Sequence, residues 1–274
     1  LNSLSQAITE KTKIILAVNL LGNPNDFEKI KELIKNKNII LLEDNCESLG
    51  AEFKNKKAGT HGLIGTYSTF FSHHISTMEG GIITTDDKEL YEIMLCLRAH
   101  GWTRNLPKDN SITGRKSEEE FDEFFKFILP GYNLRPLEMS GAIGQEQLKK
   151  LPDFITHRRK NASMLQELIN NNNHIKLQTE IGKSSWFGFS LTIKDPEIIS
   201  RKSLMDRLIL NGFEVRPVVT GNFTKQPVIT LLNVDISDDL PNANYLHEHS
   251  LFIGNHHYNM EEAIVKLSKI IFAI

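Results

Sequence analysis

Tyr67-Ser-Thr-Phe-Phe-Ser-His-His-Ile-Ser-Thr-Met-Glu-Gly-Gly81, continued by Ile82-Ile-Thr-Thr85, sets two adjacent histidines among hydroxyls in a short connection closed by a glycine pair. The apolar residues before it, Tyr67, Phe70 and Phe71, and the β-branched run after it predict two buried strands. A short connection gripped by two strands presents its side chains rigidly, which makes His73 and His74 the first candidates for chemistry. Taken alone, the dipeptide equally suits a tight turn in which the histidines only fill space.

Upstream, Lys13 to Asn19 reads as a strand ended by the turn Gly22-Asn-Pro24, and Asp26 to Lys35 carries apolar residues at helical spacing. Ile39 to Leu42 is a second short apolar run. Strand, helix, strand implies a parallel pair with a crossover helix, and such sheets collect ligands at their carboxyl ends. Glu43, Asp44, Asn45, Cys46 and Glu47 stand at that end. Asp44 is therefore a candidate for binding a cationic group, or the N-cap of a following helix.

Downstream, a helix is predicted from Asp86 to about Ala99, broken by His100 to Pro107, with a mobile polar loop over 111–117. Glu118 to Leu129 has the spacing of an amphipathic helix. Leu137 to Leu151 predicts another, and a helix from Asp153 to Asn170, after Pro152, leads into a second domain. There, strands are expected at Ile175 to Gln178, Trp186 to Ile193 and Glu214 to Val219, with helices at Ser200 to Leu210 and from Met260. The chain thus divides into a large domain, 1–152, and a small α+β domain, 153–274.

The 274 residues are 40% hydrophobic and 24% charged, the composition of an ordinary globular protein. A net charge of -2 supplies no basic field, so nucleic acid is not an expected partner. No apolar stretch approaches the ~20 residues of a membrane span. The two cysteines, Cys46 and Cys96, point to a reducing compartment, the cytoplasm, and cannot alone ligate zinc or an iron–sulfur cluster. No metal is expected.

Three segments in order, Leu42-Glu-Asp-Asn-Cys-Glu-Ser-Leu-Gly50, Ser68 to Gly81, and Gly131-Tyr-Asn-Leu-Arg135 running into Ala142-Ile-Gly-Gln-Glu-Gln-Leu148, resemble the DegT/DnrJ/EryC1/StrS sugar aminotransferases. The resemblance covers nearly the whole chain. It implies an α/β architecture of fold type I, the aspartate aminotransferase-like, pyridoxal phosphate-dependent transferase fold, working as a homodimer with shared active sites. It also implies that Asp44 keeps the cofactor's pyridine nitrogen protonated. Glu47 would lie near the ring hydroxyl, Ser68 would bind the phosphate, and Asn133 would reach the phosphate of the neighbouring subunit. The chain starts at Leu1, and the family's remaining phosphate-binding residues and ring-stacking residue are expected upstream, so the large domain reads as N-terminally truncated.

The sequence departs from the family at position 73, where aminotransferases have the lysine that bonds covalently to the cofactor. Histidine cannot make that bond. The same replacement, followed by a second histidine, is similar to a subgroup of 3-dehydratases acting on GDP- or CDP-linked 4-keto-6-deoxysugars, and Arg216 to Pro227 and His256-His257 resemble it too. The resemblance implies C3 deoxygenation with pyridoxamine phosphate as cofactor and His73 as acid–base, a task suited to imidazole. His74, Arg216 and His256 are the candidate substrate contacts, although Arg216 also suits a solvated surface and His256 simple packing. Two cysteines are too few for a cluster, which favours regeneration of the cofactor by L-glutamate over a reductase partner. The rival readings are a sugar aminotransferase lacking the lysine and a noncatalytic sugar-nucleotide-binding or regulatory protein.

Overall fold

The computed structural model describes residues 1–273, beginning with a short helix α1 (Asn2–Ala7). Strands β1 (Ile14–Val18) and β2 (Ile40–Asp44) run parallel, with Ile14 opposite Ile40 and Val18 opposite Asp44. The crossover α2 (Phe27–Ile34) starts at Asp26, whose carboxylate accepts the Lys29 N–H at 3.2 Å, satisfying one free amide of the first turn. Phe27 and Ile30 face the sheet and bury against Ala17, Leu41 and Phe53. Each such side chain contributes about 1.5–3 kcal/mol on burial.

A hairpin of β3 (Glu52–Phe53) and β4 (Lys56–Lys57) precedes β5 (Ile64–Ser68), parallel to β2, and β6 (Gly81–Thr84) returns antiparallel to β5. The sheet order is β1-β2-β5-β6. The two strands expected around the histidine segment are present, but β6 is exposed rather than buried, with Ile83 55% accessible. As the sheet's edge strand it has neighbours on one side only. The apolar side chains of Ile14, Leu16 and Val18 are likewise uncovered on β1.

Glu43, one residue before the end of β2, is fully buried. Its carboxylate accepts backbone N–H groups from Gly59 at 2.6 Å and from His61 and Gly62 at 2.5 Å. That clamps the β4–β5 loop over the sheet. The loop lies so close that a Cβ on Gly65 would meet the Gly59 carbonyl oxygen at 2.1 Å.

Helix α3 (Lys88–Leu97) begins at Asp87, whose side chain accepts the Leu90 N–H. The segment expected to be a mobile loop forms instead a hairpin of β7 (Asp109–Asn110) and β8 (Gly114–Arg115), pinned by the Asn110 side chain on the Ile112 and Thr113 amides. The amphipathic helix expected over 118–129 shrinks to α4 (Glu120–Glu123). Tertiary pairing overrides its periodicity: Thr103 donates to the Lys126 carbonyl and Ile128 to that of Gly101, drawing the chain out straight.

The break expected at Pro152 is absent. Helix α5 (Glu138–Ile169) runs through it for 32 residues. Its C-terminal half packs on an antiparallel sheet of β9 (Ile175–Lys176), β10 (Gly188–Ile193) and β11 (Ser250–Gly254), ordered β11-β10-β9. Helices α6 (Arg201–Leu210), α7 (Pro241–His249) and α8 (Glu261–Phe272) complete this unit. Trp186, Phe189, Leu191, Leu204, Ile264 and Ile271 form its core. The strand expected over 214–219 reduces to one backbone pair, Arg216 with Phe252: Pro217 brings no N–H to extend the ladder, and Val219 turns into the left-handed region.

Replacing Glu43 with alanine would strand three clamped amides. Urea unfolding should show a loss of about 3–5 kcal/mol, the usual cost of leaving several buried donors unpaired; a change under about 1 kcal/mol would contradict the clamp.

Candidate active site

The parallel strands β2 and β5 end side by side, Asp44 opposite Thr66, so Asp44 and Ser68 emerge at the same edge of the sheet. One Asp44 oxygen accepts the Cys46 N–H at 2.9 Å, and the Ser68 hydroxyl oxygen accepts the Phe70 N–H at 3.1 Å. The 69–80 connection is tied across itself by Thr69 N–H to the Gly80 carbonyl, Phe71 N–H to that of Met78, and a 2.6 Å contact between the Thr69 and Thr77 hydroxyls. Gly80 is needed at φ 143°, where a Cβ would strike the Thr69 hydroxyl at 2.7 Å.

The two histidines part ways. His73 is half-buried between Phe70 of its own loop, ring centroids 5.9 Å apart, and Phe187 at the entrance to β10, 5.4 Å away. Burial pushes its pKa below the ordinary imidazole value, while the Asp44 carboxylate and the Phe70 carbonyl pull the other way. His74 is only 2% exposed, and its Nε2–H donates to the Ser185 carbonyl at 3.3 Å. Burial, reinforced by the Arg158 cation, lowers its pKa to about 3, so it is neutral at physiological pH. Its side chain packs against Ser185 and the Phe187 ring and is not among the residues that border the cleft described below.

Around the carboxylate of Asp44 the other titratable groups respond to burial. The Cys46 thiol is pushed up to about 12 by burial and by its hydrogen bond to Asp44. Glu47 is raised by burial and by Asp44, against the lowering effect of the Leu21 N–H that its carboxylate accepts at 2.8 Å. That bond braces a left-handed turn at Leu21, φ 50°. Asn133, paired through its backbone with Ala99, is exposed and its side chain makes no hydrogen bond among the described residues.

The second sheet supplies the opposite wall. A cleft of about 600 Å³ is bordered by Ser72, Arg158, Phe187, Arg216, His256 and Lys266. Arg216 is exposed and forks onto the Glu214 carboxylate at 2.5 and 2.9 Å. His256 stacks on Tyr258, ring centroids 5.0 Å apart, with its pKa lowered by burial and by Arg158. Two of the three expected substrate contacts therefore face one cleft, next to the residue that precedes His73. Trp102 stacks on Phe125 and carries Arg104 over its ring, and neither residue borders this cleft.

Sequence reading missed Glu43, Asn19, Phe187 and Arg158. The buried Asn19 bonds Asn45 at 2.6 Å and receives both N–H groups of Asn25, joining the ends of β1 and β2. No local pattern marks these residues; their roles exist only through contacts distant in sequence. A carboxylate, a hydroxyl and a lysine-free imidazole at one strand edge suit an aromatic, phosphate-bearing cofactor held without a covalent bond. No helix among the described residues is long and apolar enough to cross a membrane.

The model of the DegT/DnrJ/EryC1/StrS aminotransferase family matches residues 1–271. The GDP-4-keto-6-deoxy-D-mannose 3-dehydratase of Yersinia pseudotuberculosis is 57% identical over 272 residues, covering 99% of this chain and 69% of that protein. The solved structure of the Escherichia coli GDP-4-keto-6-deoxy-D-mannose-3-dehydratase with bound hydrated PLP superposes with a TM-score of 0.96 at 55% identity, over 98% of this chain and 70% of that one. A structure of GDP-4-keto-6-deoxymannose-3-dehydratase with a trapped PLP-glutamate geminal diamine agrees equally, with the same TM-score, identity and coverage. The fold is the PLP-dependent aminotransferase-like one, and the chain belongs to the DegT/DnrJ/EryC1/StrS aminotransferase family.

Proposed function

We propose that the protein removes the C3 hydroxyl of a GDP-linked 4-keto-6-deoxyhexose, GDP-4-keto-6-deoxymannose foremost, using pyridoxamine phosphate as cofactor and L-glutamate as amino donor. The setting is deoxysugar and lipopolysaccharide O-antigen biosynthesis in the cytoplasm, a placement supported by two unpaired cysteines. The observation that carries the reading is a half-dry histidine at position 73, beside the carboxylate of Asp44, in place of the family's lysine. The substrate and the glutamate dependence are supported by the names of relatives at 55–57% identity and by the trapped glutamate adduct of one of them.

When bound, pyridoxamine phosphate supplies an amine for the C4 ketone and a ring that accepts electrons. Asp44 would hold the proton on the ring nitrogen and Ser68 would donate its hydroxyl hydrogen to the phosphate. Glu47 would lie at the ring hydroxyl, keeping its bond to Leu21. His73, neutral because burial outweighs the pull of Asp44, would take a proton from the carbon bearing the cofactor's amine and return one to the departing C3 oxygen. A lysine would instead tether the cofactor and favour transamination. Arg216 and His256 would meet the sugar nucleotide across the cleft, with Arg216 exchanging Glu214 for an anionic group.

The same reading takes residues 1–152 as the cofactor-binding domain and 153–274 as the small domain, with α5 shared between them. Asn133, exposed and unbonded, would serve the partner's phosphate in a homodimer with shared sites.

Changing His73 to Asn should lower deoxygenation by ~10²–10⁴-fold, the usual worth of a positioned acid–base group, and leave pyridoxamine phosphate binding intact. Mass analysis of the product decides the outcome: full deoxygenation by the variant, or a 4-amino sugar from the natural protein, would each defeat the dehydratase reading. For the shared site, mixing His73→Ala with Asn133→Ala protein should restore part of the activity through heterodimers that hold one intact site. Proven subunit exchange with no recovery would count against it.

A further inference from the structure

We propose that Phe187, held in place by Arg158, is the positioning residue of His73: its ring is the wall that keeps one face of the catalytic imidazole dry. The inference rests on His73 being the acid–base. The expected roles of the cofactor-binding residues do not enter it.

Phe187 is fixed from three directions before its ring is considered. Its N–H donates to the Leu21 carbonyl at 3.2 Å, on the left-handed turn that Glu47 braces. Its carbonyl accepts the Arg158 Nη1–H at 3.1 Å and the Asn255 N–H at 3.3 Å. Arg158 is 5% exposed, has no carboxylate partner among the described residues, and donates from the same Nη1 to the Asn255 carbonyl. One turn further along α5, Asn161 holds the Asn255 side chain and the carbonyls of His256 and Tyr258. A cation buried without a counter-ion is costly, and burial lowers its pKa to about 10. That cost is offset here by main-chain carbonyls, and the result is a rigid join between the entrance of β10 and the exit of β11.

The ring then has little freedom. It packs against His73 at 5.4 Å and His74 at 5.6 Å, with the Arg158 guanidinium 5.9 Å from its centroid. The Nδ1 of His73 lies buried without a partner, and Ser72, the residue before it, borders the cleft. The charged and titratable groups around the ring are Asp44 at the end of β2, His74 on the same loop and Arg158 behind Phe187 from α5. Asp44 favours the imidazolium, so the drying by the two phenylalanines is what leaves His73 a neutral base below the ordinary range.

The sign of the effect follows. Opening the Phe187 face to water relieves desolvation and moves the His73 midpoint upward, toward about 6.5. The base is active when neutral, so the acidic limb of the kcat/KM profile moves to higher pH by the same amount. In the protein, with and without pyridoxamine phosphate, the His73 ring signal is assigned by its loss in His73→Asn and titrated by NMR. Phe187→Leu should raise the midpoint by about half a unit or more, whereas Phe187→Tyr, which keeps the cover, should leave it in place. Arg158→Lys keeps the charge but loses the planar Nη1 that serves the Phe187 and Asn255 carbonyls together, and should move the midpoint in the same direction as Phe187→Leu. An unchanged midpoint in whichever of Phe187→Leu and Arg158→Lys folds, judged by its melting curve, overturns the proposal. The NMR midpoint is independent of turnover: if it moves while the rate profile does not, the wall stands and His73 is not the acid–base.

Discussion

A carboxylate sealed from water organises the sheet end on which the site is built. Glu43 and Asp44 are neighbours on one strand, so their side chains leave opposite faces of the sheet. Glu43 turns into the protein and takes three amide hydrogens from the loop that crosses above β5. Desolvating that charge is expensive, and only a full set of donors makes the arrangement stable. With Glu43 held, the residue after it has no freedom of register, and Asp44 is delivered to the open edge. Asn19 extends the same constraint to β1 by bonding Asn45, so both parallel strands stop in one polar network rather than in two independent loops.

The adjacent histidines illustrate how environment, more than residue type, assigns a role. His74 is enclosed on all sides and kept neutral by burial and a neighbouring cation, a state in which it can pack and donate one hydrogen bond. His73 is half-buried, with a carboxylate nearby and aromatic rings on its flanks. Neither environment is contained in the loop. Ser185, Phe187 and Arg158 all come from beyond the first sheet, so the surroundings of both histidines include residues more than eighty positions away.

That division also explains what could be read in the sequence. β1, α2, β2 and α6 were legible because their apolar spacing and their caps at Asp26 and Ser200 are local signals. Asp44, Ser68 and His73 were singled out by a motif with fixed order, and the structure brings Asp44 and Ser68 to one edge of the sheet. The segment 118–129 was not, since Phe121, Phe124 and Phe125 repeat as a helix would, while the backbone partners of Lys126 and Ile128 lie near residue 101. Arg216 to Val219 looked like a strand from its β-branched residues, yet has a partner at one position only. The short β11 escaped notice among polar neighbours. At the site, nothing local to His74 tells of its packing against Ser185 and Phe187.

One helix, α5, is common to both walls of the cleft: Gln147 on its first half reaches the Ser76 amide of the histidine loop, and Arg158 and Asn161 on its second half hold the ends of β10 and β11. Pro152 stands between them and brings no N–H to the ladder, so the carbonyl four residues earlier lacks its usual partner. The Thr156 hydroxyl, donating to the Pro152 carbonyl at 2.8 Å, splints the following turn. Mechanically, α5 is a beam with one softened section, and the gap it spans is also pinned at the far end by the Phe187–Leu21 and His74–Ser185 bonds. The two walls are therefore joined like a frame closed on two sides, with its compliance concentrated at one proline.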